Sequence, residues 1–184
     1  PLAETTRTLL QAFTATGNAL YLLHGNRDFL LGEAFCVATG AALLGDPSVI
    51  DLYGTSTLVM HGDSLCTADA DYQAFRQRAR QRCWQAELLA RPLSERRALA
   101  TELRRISHEA VSNKPEDIVD VSVSEVERVM AAHAVRRLVH GHTHRPGRHR
   151  HQNGERWVLG DWDLRGRALK VTSEDCMLVD INIF

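Results

Sequence analysis

Apolar residues fall along this chain in two periods, and the alternation between them lays out a fold. Leu2, Leu9, Leu10 and Phe13 are spaced as on one face of a helix, and Gly17-Asn18 is a stop signal. The run from Ala19 to Leu23 is continuously apolar and predicts a strand buried on both faces. It leads into the turn His24-Gly25-Asn26-Arg27-Asp28. A second helix is predicted over Leu31 to Thr39, ending at Gly40. The stretch "VIDLYGTSTLVMHGD" predicts two strands joined at Tyr53-Gly54, the second ending at His61.

From Asp71 to Ala110 the texture changes. Tyr72, Phe75, Ala79, Cys83, Ala86 and Ala90 recur at steps of three or four, as do Leu99, Leu103, Ile106 and Ala110. Pro92 separates the two series, so the pattern predicts a helical hairpin, an insertion over residues 71–114. Ser124-x-x-Glu127 fits a capping box opening a further helix. Strands are predicted around Arg137–His140, Arg156–Leu159, Leu169–Thr172 and Met177–Ile181. Strands and helices alternate early and strands cluster late, which predicts a single α/β domain over 1–184, a sandwich with a helical insertion.

Composition narrows the class. At 184 residues, 44% hydrophobic and 24% charged, the chain suits one domain with a sizeable core. A net charge of −1 gives no global pull toward nucleic acid. Four cysteines without a C-x-x-C pair fit a reducing compartment, with thiols used as small buried side chains. No apolar run approaches the roughly 20 residues that span a bilayer, and no signal peptide is visible. Cytoplasm is expected. Charge is locally uneven, with Arg76, Arg78, Arg80, Arg82, Arg91, Arg96, Arg97, Arg104 and Arg105 crowding the insertion. Taken alone this is a solvated charged helix, and aromatic stacking positions are too few for single-stranded nucleic acid.

Three strand ends carry the chemistry: "HGNRD" after the first, "HGD" after the third, "HGHTH" after the fourth. Each sets a glycine beside a potential metal ligand, and open α/β sheets gather ligands at strand carboxyl ends. Imidazole suits manganese, iron and zinc, and an amide carbonyl suits the harder of these. Two such ions roughly 3.5–4 Å apart serve many phosphoester-cleaving sites. A lone strand-end histidine is more often structural, and His24, His140, His149 and His151 are left with that reading, the last two as surface residues. The ordered trio reverses the balance for Asn26, His61, His142 and His144.

These motifs resemble the calcineurin-like metallophosphoesterase superfamily. "HGNRDFLLG", "MHGDSLCTADADYQAF", "VHGHTHRP" and "VLGDW" are similar, within it, to the UDP-2,3-diacylglucosamine hydrolase family, over nearly the whole chain. The resemblance implies a β-sandwich flanked by helices, two Mn2+ ions, and cleavage of a pyrophosphate to UMP and 2,3-diacylglucosamine 1-phosphate in lipid A biosynthesis. It implies Asn26, His61 and His142 as ligands of one manganese and His144 of the other. His142 would also touch substrate phosphate, Arg27 would neutralise phosphate charge, and Asp69, Ser107 and Lys114 would contact substrate. The insertion becomes a lid that holds two acyl chains, its arginines facing anionic lipid on the cytoplasmic face of a Gram-negative inner membrane. A monomer that binds no nucleic acid is expected.

The chain departs from the family at Ala68 and at Val111, where relatives often have Asp and Asn. Superfamily members also begin with strands ending in D-x-H and G-D, and neither precedes Asn26. Asn26, His61, His142 and His144 are all neutral, so two divalent ions need carboxylates besides, and Asp28 and Asp63 have no obvious bridging assignment. The expectation is a metallophosphoesterase domain lacking its N-terminal strands. The alternatives are a phosphoesterase for another nucleotide or diester, and a catalytically dead binding module on the same fold.

Overall fold

A computed structural model describes residues 2–162 and 165–182, with the side chains of residues 108, 111–113, 116 and 117 outside that description. Its elements begin with α1 (Leu2–Ala15), β1 (Tyr21–Leu23), α2 (Glu33–Thr39), β2 (Ala42–Leu44), β3 (Ser48–Leu52) and β4 (Thr55–Met60). A 3-10 turn (Asp63–Leu65) then opens a helical stretch of α3 (Ala70–Ala79), α4 (Arg82–Leu89), α5 (Leu93–Asn113) and α6 (Glu116–Val119). Helix α7 (Val123–Ala132) is followed by β5 (Arg137–His140), β6 (Gly147–His151), β7 (Gly154–Val158), β8 (Arg165–Val171) and β9 (Cys176–Asn182). Contacts divide the chain into two compact units, Asp63–Val126 and the remainder.

The larger unit is built on a mixed five-stranded sheet in the order β3-β4-β5-β7-β6. Its centre, β4-β5-β7, is parallel, with Met60 opposite His140 and His140 opposite Val158. Parallel strands covered on both faces read as apolar runs. Leu58, Met60, Leu138, Val139, Trp157 and Val158 accordingly form the core, joined by Val129 and Met130 of α7. Two smaller sheets pair β1 with β2 in parallel and β8 with β9 antiparallel. The α/β class holds, with the strands distributed over three sheets.

Several local expectations need correction. Tyr21 is 59% exposed, so β1 is not buried on both faces; among the described residues it has one strand neighbour, β2. The first arm of the predicted hairpin is two helices. The chain extends at Gln81, whose ψ is 129°, and the Gln85 amide donates to the Ala79 carbonyl at 2.9 Å that the break would otherwise leave free. The apolar period runs straight across this break from Ala79 to Cys83, which hides it. Helix α7 starts at Val123, and the Val126 N–H donates to the Ser122 carbonyl at 3.0 Å. The cap position is therefore Ser122, with Glu125 three residues on. Of the four thiols, only Cys66 is buried and Cys83 is exposed.

Strand β6, "GRHRH", was missed because it has no apolar period. Edge pairing and its side chains hold it: Arg148 donates to Glu155 at 2.8 Å and lies 5.1 Å over the Trp157 ring. Its last residue, His151, is no surface histidine. The side chain is 6% exposed, with Arg156 Nε 3.4 Å away and Glu127 at 3.8 Å. Burial and then the Arg156 charge push this imidazole below its ordinary range, against the opposing influence of Glu127. The unfolded chain therefore gains a proton near pH ~6.5 while the folded chain resists it. The stability contribution is full above that pH and is lost as pH falls toward the lowered folded value. We expect His151→Gln to flatten the fall of Tm on acidification below about pH 6.5; an unchanged slope in thermal melts would contradict this.

Candidate metal centre

The parallel register of β4 and β5 does the assembling. Met60 pairs with His140, so the next residue of each strand, His61 and Gly141, emerges on the same sheet edge. The Gly141 N–H donates to the His61 carbonyl at 3.0 Å, and the His61 N–H donates to Asp46 Oδ1 at 3.1 Å. With the two backbones tied, His142 follows directly, and the His61 and His142 rings lie edge to face with centroids 4.8 Å apart. Two imidazoles predicted from separate strand ends are thus brought together.

The turn carrying Asn26 lies against the same histidine. Asp28 shapes it by accepting the Gly25 N–H at 2.6 Å, and His24 Nε2 donates to the Leu31 carbonyl at 2.6 Å. Gly25 is required by close approach, because a Cβ there would sit 3.1 Å from both Cδ2 and Nε2 of His61. Asn26, next in line, is half-buried and Arg27 is exposed. The Asp28 carboxylate is spent on the backbone, and Arg27 makes no ion pair among the described residues. This guanidinium is open to an anion.

His142 and His144 have φ of 65° and 52°, two left-handed residues in three positions, neither a glycine. Each carries a conformational cost of order 1–3 kcal/mol, a strain that clusters at functional sites. Between them the Thr143 hydroxyl is buried without a hydrogen-bond partner among the described residues. Strain and an unsatisfied hydroxyl at an imidazole pair fit a site that completes itself with a bound ion. Two imidazoles and an amide are neutral donors open to several divalent metals, and manganese in particular favours oxygen ligands beside them. Among the described residues no group of three or more His, Cys, Asp and Glu side chains is placed to hold an ion.

In the unit Asp63–Val126 the structure pairs two of the expected substrate contacts. Asp69, largely buried, accepts the Tyr72 N–H at 3.1 Å as N-cap of α3 and forms an ion pair with Lys114 Nζ at 2.5 Å. Ser107 lies half-buried on α5, and the side chain of Val111 is outside the described residues. Asp63 is fully buried and engaged by Tyr72 Oη at 2.9 Å, Arg76 Nε at 2.9 Å and Arg80 at 3.8 Å. Gln73 fastens the same turn by donating to the carbonyls of Asp63 and Cys66. Sequence reasoning missed Asp46 and Arg156, which hold site backbones and imidazoles; their sequence neighbourhoods carry no signal.

A mixed α/β fold with paired imidazoles at adjoining carboxyl-terminal strand ends is compatible with a metallophosphoesterase. No family model matches the chain. It is 48% identical over 177 residues to a UDP-2,3-diacylglucosamine hydrolase of Cellvibrio japonicus, covering 94% of this chain and 74% of that one. A Marinobacter nauticus protein of the same name is 51% identical over 167 residues, covering 89% and 68%. For another from Pseudomonas putida the figures are 48% over 182 residues, 97% and 76%. The chain belongs to the UDP-2,3-diacylglucosamine hydrolase family.

Proposed function

We propose that this protein hydrolyses the pyrophosphate bond of UDP-2,3-diacylglucosamine to UMP and 2,3-diacylglucosamine 1-phosphate, as a manganese-dependent enzyme of lipid A biosynthesis. The identity of about half over most of the chain to hydrolases of that name carries the reading. Asn26, His61 and His142 hold one ion and His144 the other. Bound divalent ions there supply an acidic water and neutralise phosphate charge. Arg27 offers a planar fork of donors to the phosphate oxygens as negative charge moves to the leaving group. His142 orients a phosphate oxygen, and the resemblance to the family supports Asp69, Ser107 and Lys114 as further substrate contacts.

The same helices suit a lipid. Leu89, Leu93 and Ile106 are exposed apolar side chains, while Arg78, Arg82, Arg91, Arg97 and Arg104 are exposed and make no ion pair among the described residues. No helix among the described residues is long and apolar enough to cross a membrane. We read this unit as a lid for two acyl chains whose basic surface meets anionic lipid on the cytoplasmic face of the inner membrane.

The test is UMP release. Each buried methylene is worth roughly 0.8 kcal/mol, so kcat/KM for the diacylated substrate should exceed that for UDP-glucosamine by at least about a hundredfold. Equal values would remove the lid reading. No UMP from either substrate, with manganese present, would remove the hydrolase reading itself.

A further inference from the structure

His140 lies outside the donor set, yet its ring is 1% exposed and packed beneath the metal loops. Gly62, at φ 104°, passes so close that a Cβ there would sit 2.5 Å from His140 Nδ1. The two ring nitrogens have partners of opposite kind. Arg156, itself buried, places Nη1 3.1 Å from Nε2, and the Gly141 carbonyl lies 2.8 Å from Nδ1. A guanidinium can only donate and a carbonyl can only accept. Both contacts are hydrogen bonds only if Nε2 is bare and Nδ1 carries the proton, so one tautomer satisfies both ends.

The Gly141 carbonyl has a second donor. The Thr143 N–H reaches it at 2.8 Å, closing a three-residue turn centred on His142 at φ 65°. That is the rare positive-φ γ-turn, a strained form. The His140 imidazole therefore grips the same oxygen that closes the turn presenting His142, and the Gly141 N–H ties this turn to the His61 backbone.

We infer that Arg156 and His140 are a positioning pair: Arg156 fixes the Nδ1–H tautomer of His140, and that N–H pins the strained turn that aims His142 at the metal. The inference rests on the metal reading above. The pair touches neither substrate nor ion and acts through the Gly141 carbonyl. Such outer partners typically tune metal affinity about 10–100-fold.

The first measurement needs no variant and no metal. Nitrogen-15 NMR of the histidine rings in the metal-free protein should show His140 Nδ1 protonated and Nε2 bare; an Nε2–H tautomer overturns the inference. The second compares His140→Asn, whose amide N–H can take the place of Nδ1–H, with His140→Gln, whose amide extends toward Arg156. Titration calorimetry with Mn2+ alone should find the Asn variant within about threefold of wild type and the Gln variant weakened about 10–100-fold. Equal weakening in both, or none in either, overturns the pinning role. Failure of the metal reading looks different: wild type then binds no Mn2+ while the tautomer still reads Nδ1–H.

Discussion

Asp63→Asn is expected to destabilise the helical unit by about 3–5 kcal/mol, among the largest effects of any single substitution in this chain. The carboxylate is fully buried and faces two guanidiniums and a phenol. Removing its charge takes from Arg76 and Arg80 the buried carboxylate that both face. Tyr72→Phe provides the graded comparison. Burial, then the Asp63 charge and hydrogen bond, push the Tyr72 phenol far above its ordinary range, so it stays a neutral donor. Losing that one bond to a charged acceptor should cost about 1.5–3 kcal/mol. Urea titration and limited proteolysis of residues 63–126 would measure both. An Asp63→Asn variant as stable as wild type would mean that the cluster contributes nothing net.

This cluster also shows what a sequence withholds. Asp63 is part of the "HGD" motif and has no bridging assignment from the sequence; its partners lie on the following helix at positions 72, 76 and 80, one face of α3 and its cap. That face was legible as a helical stripe, but the stripe was counted in apolar residues. The charged residues interleaved with it looked solvent-bound. The guanidiniums of Arg76 and Arg80 turn inward while Arg78 stays outside, a division that composition cannot make.

The central strands were legible because burial on both faces leaves continuous apolar runs at Leu58–Met60 and Leu138–Val139. β6 was not, because an edge strand needs no apolar period when its backbone pairs with β7 and its Arg148 grips Glu155. The site divides the same way. Histidines at strand ends announce themselves by type and spacing. What holds them does not: Asp46 works through a backbone N–H, and Arg156 meets His140 only because β5 and β7 are adjacent in the sheet. Register is a tertiary fact, and those residues became visible only with it.

His61→Ala and His142→Ala are expected to reduce turnover at least about a thousandfold, roughly 4 kcal/mol of lost transition-state stabilisation, with the fold intact. Each removes an imidazole from the pair at 4.8 Å. Neither ring belongs to the buried core, both being partly exposed at the ends of their strands, so the sheet beneath should hold. In His142→Ala the Cβ remains and the turn is still held through the Gly141 carbonyl, so Tm should stay near that of wild type alongside the lost activity. His144→Ala should share the activity loss while leaving the first ion in place, if the proposed ligand set of that ion is Asn26, His61 and His142. Elemental analysis should then find His61→Ala poorest in manganese and His144→Ala intermediate. Full metal content and normal turnover in all three variants would overturn the ligand assignment. Full metal content with turnover lost would instead move these histidines from metal binding to phosphate contact.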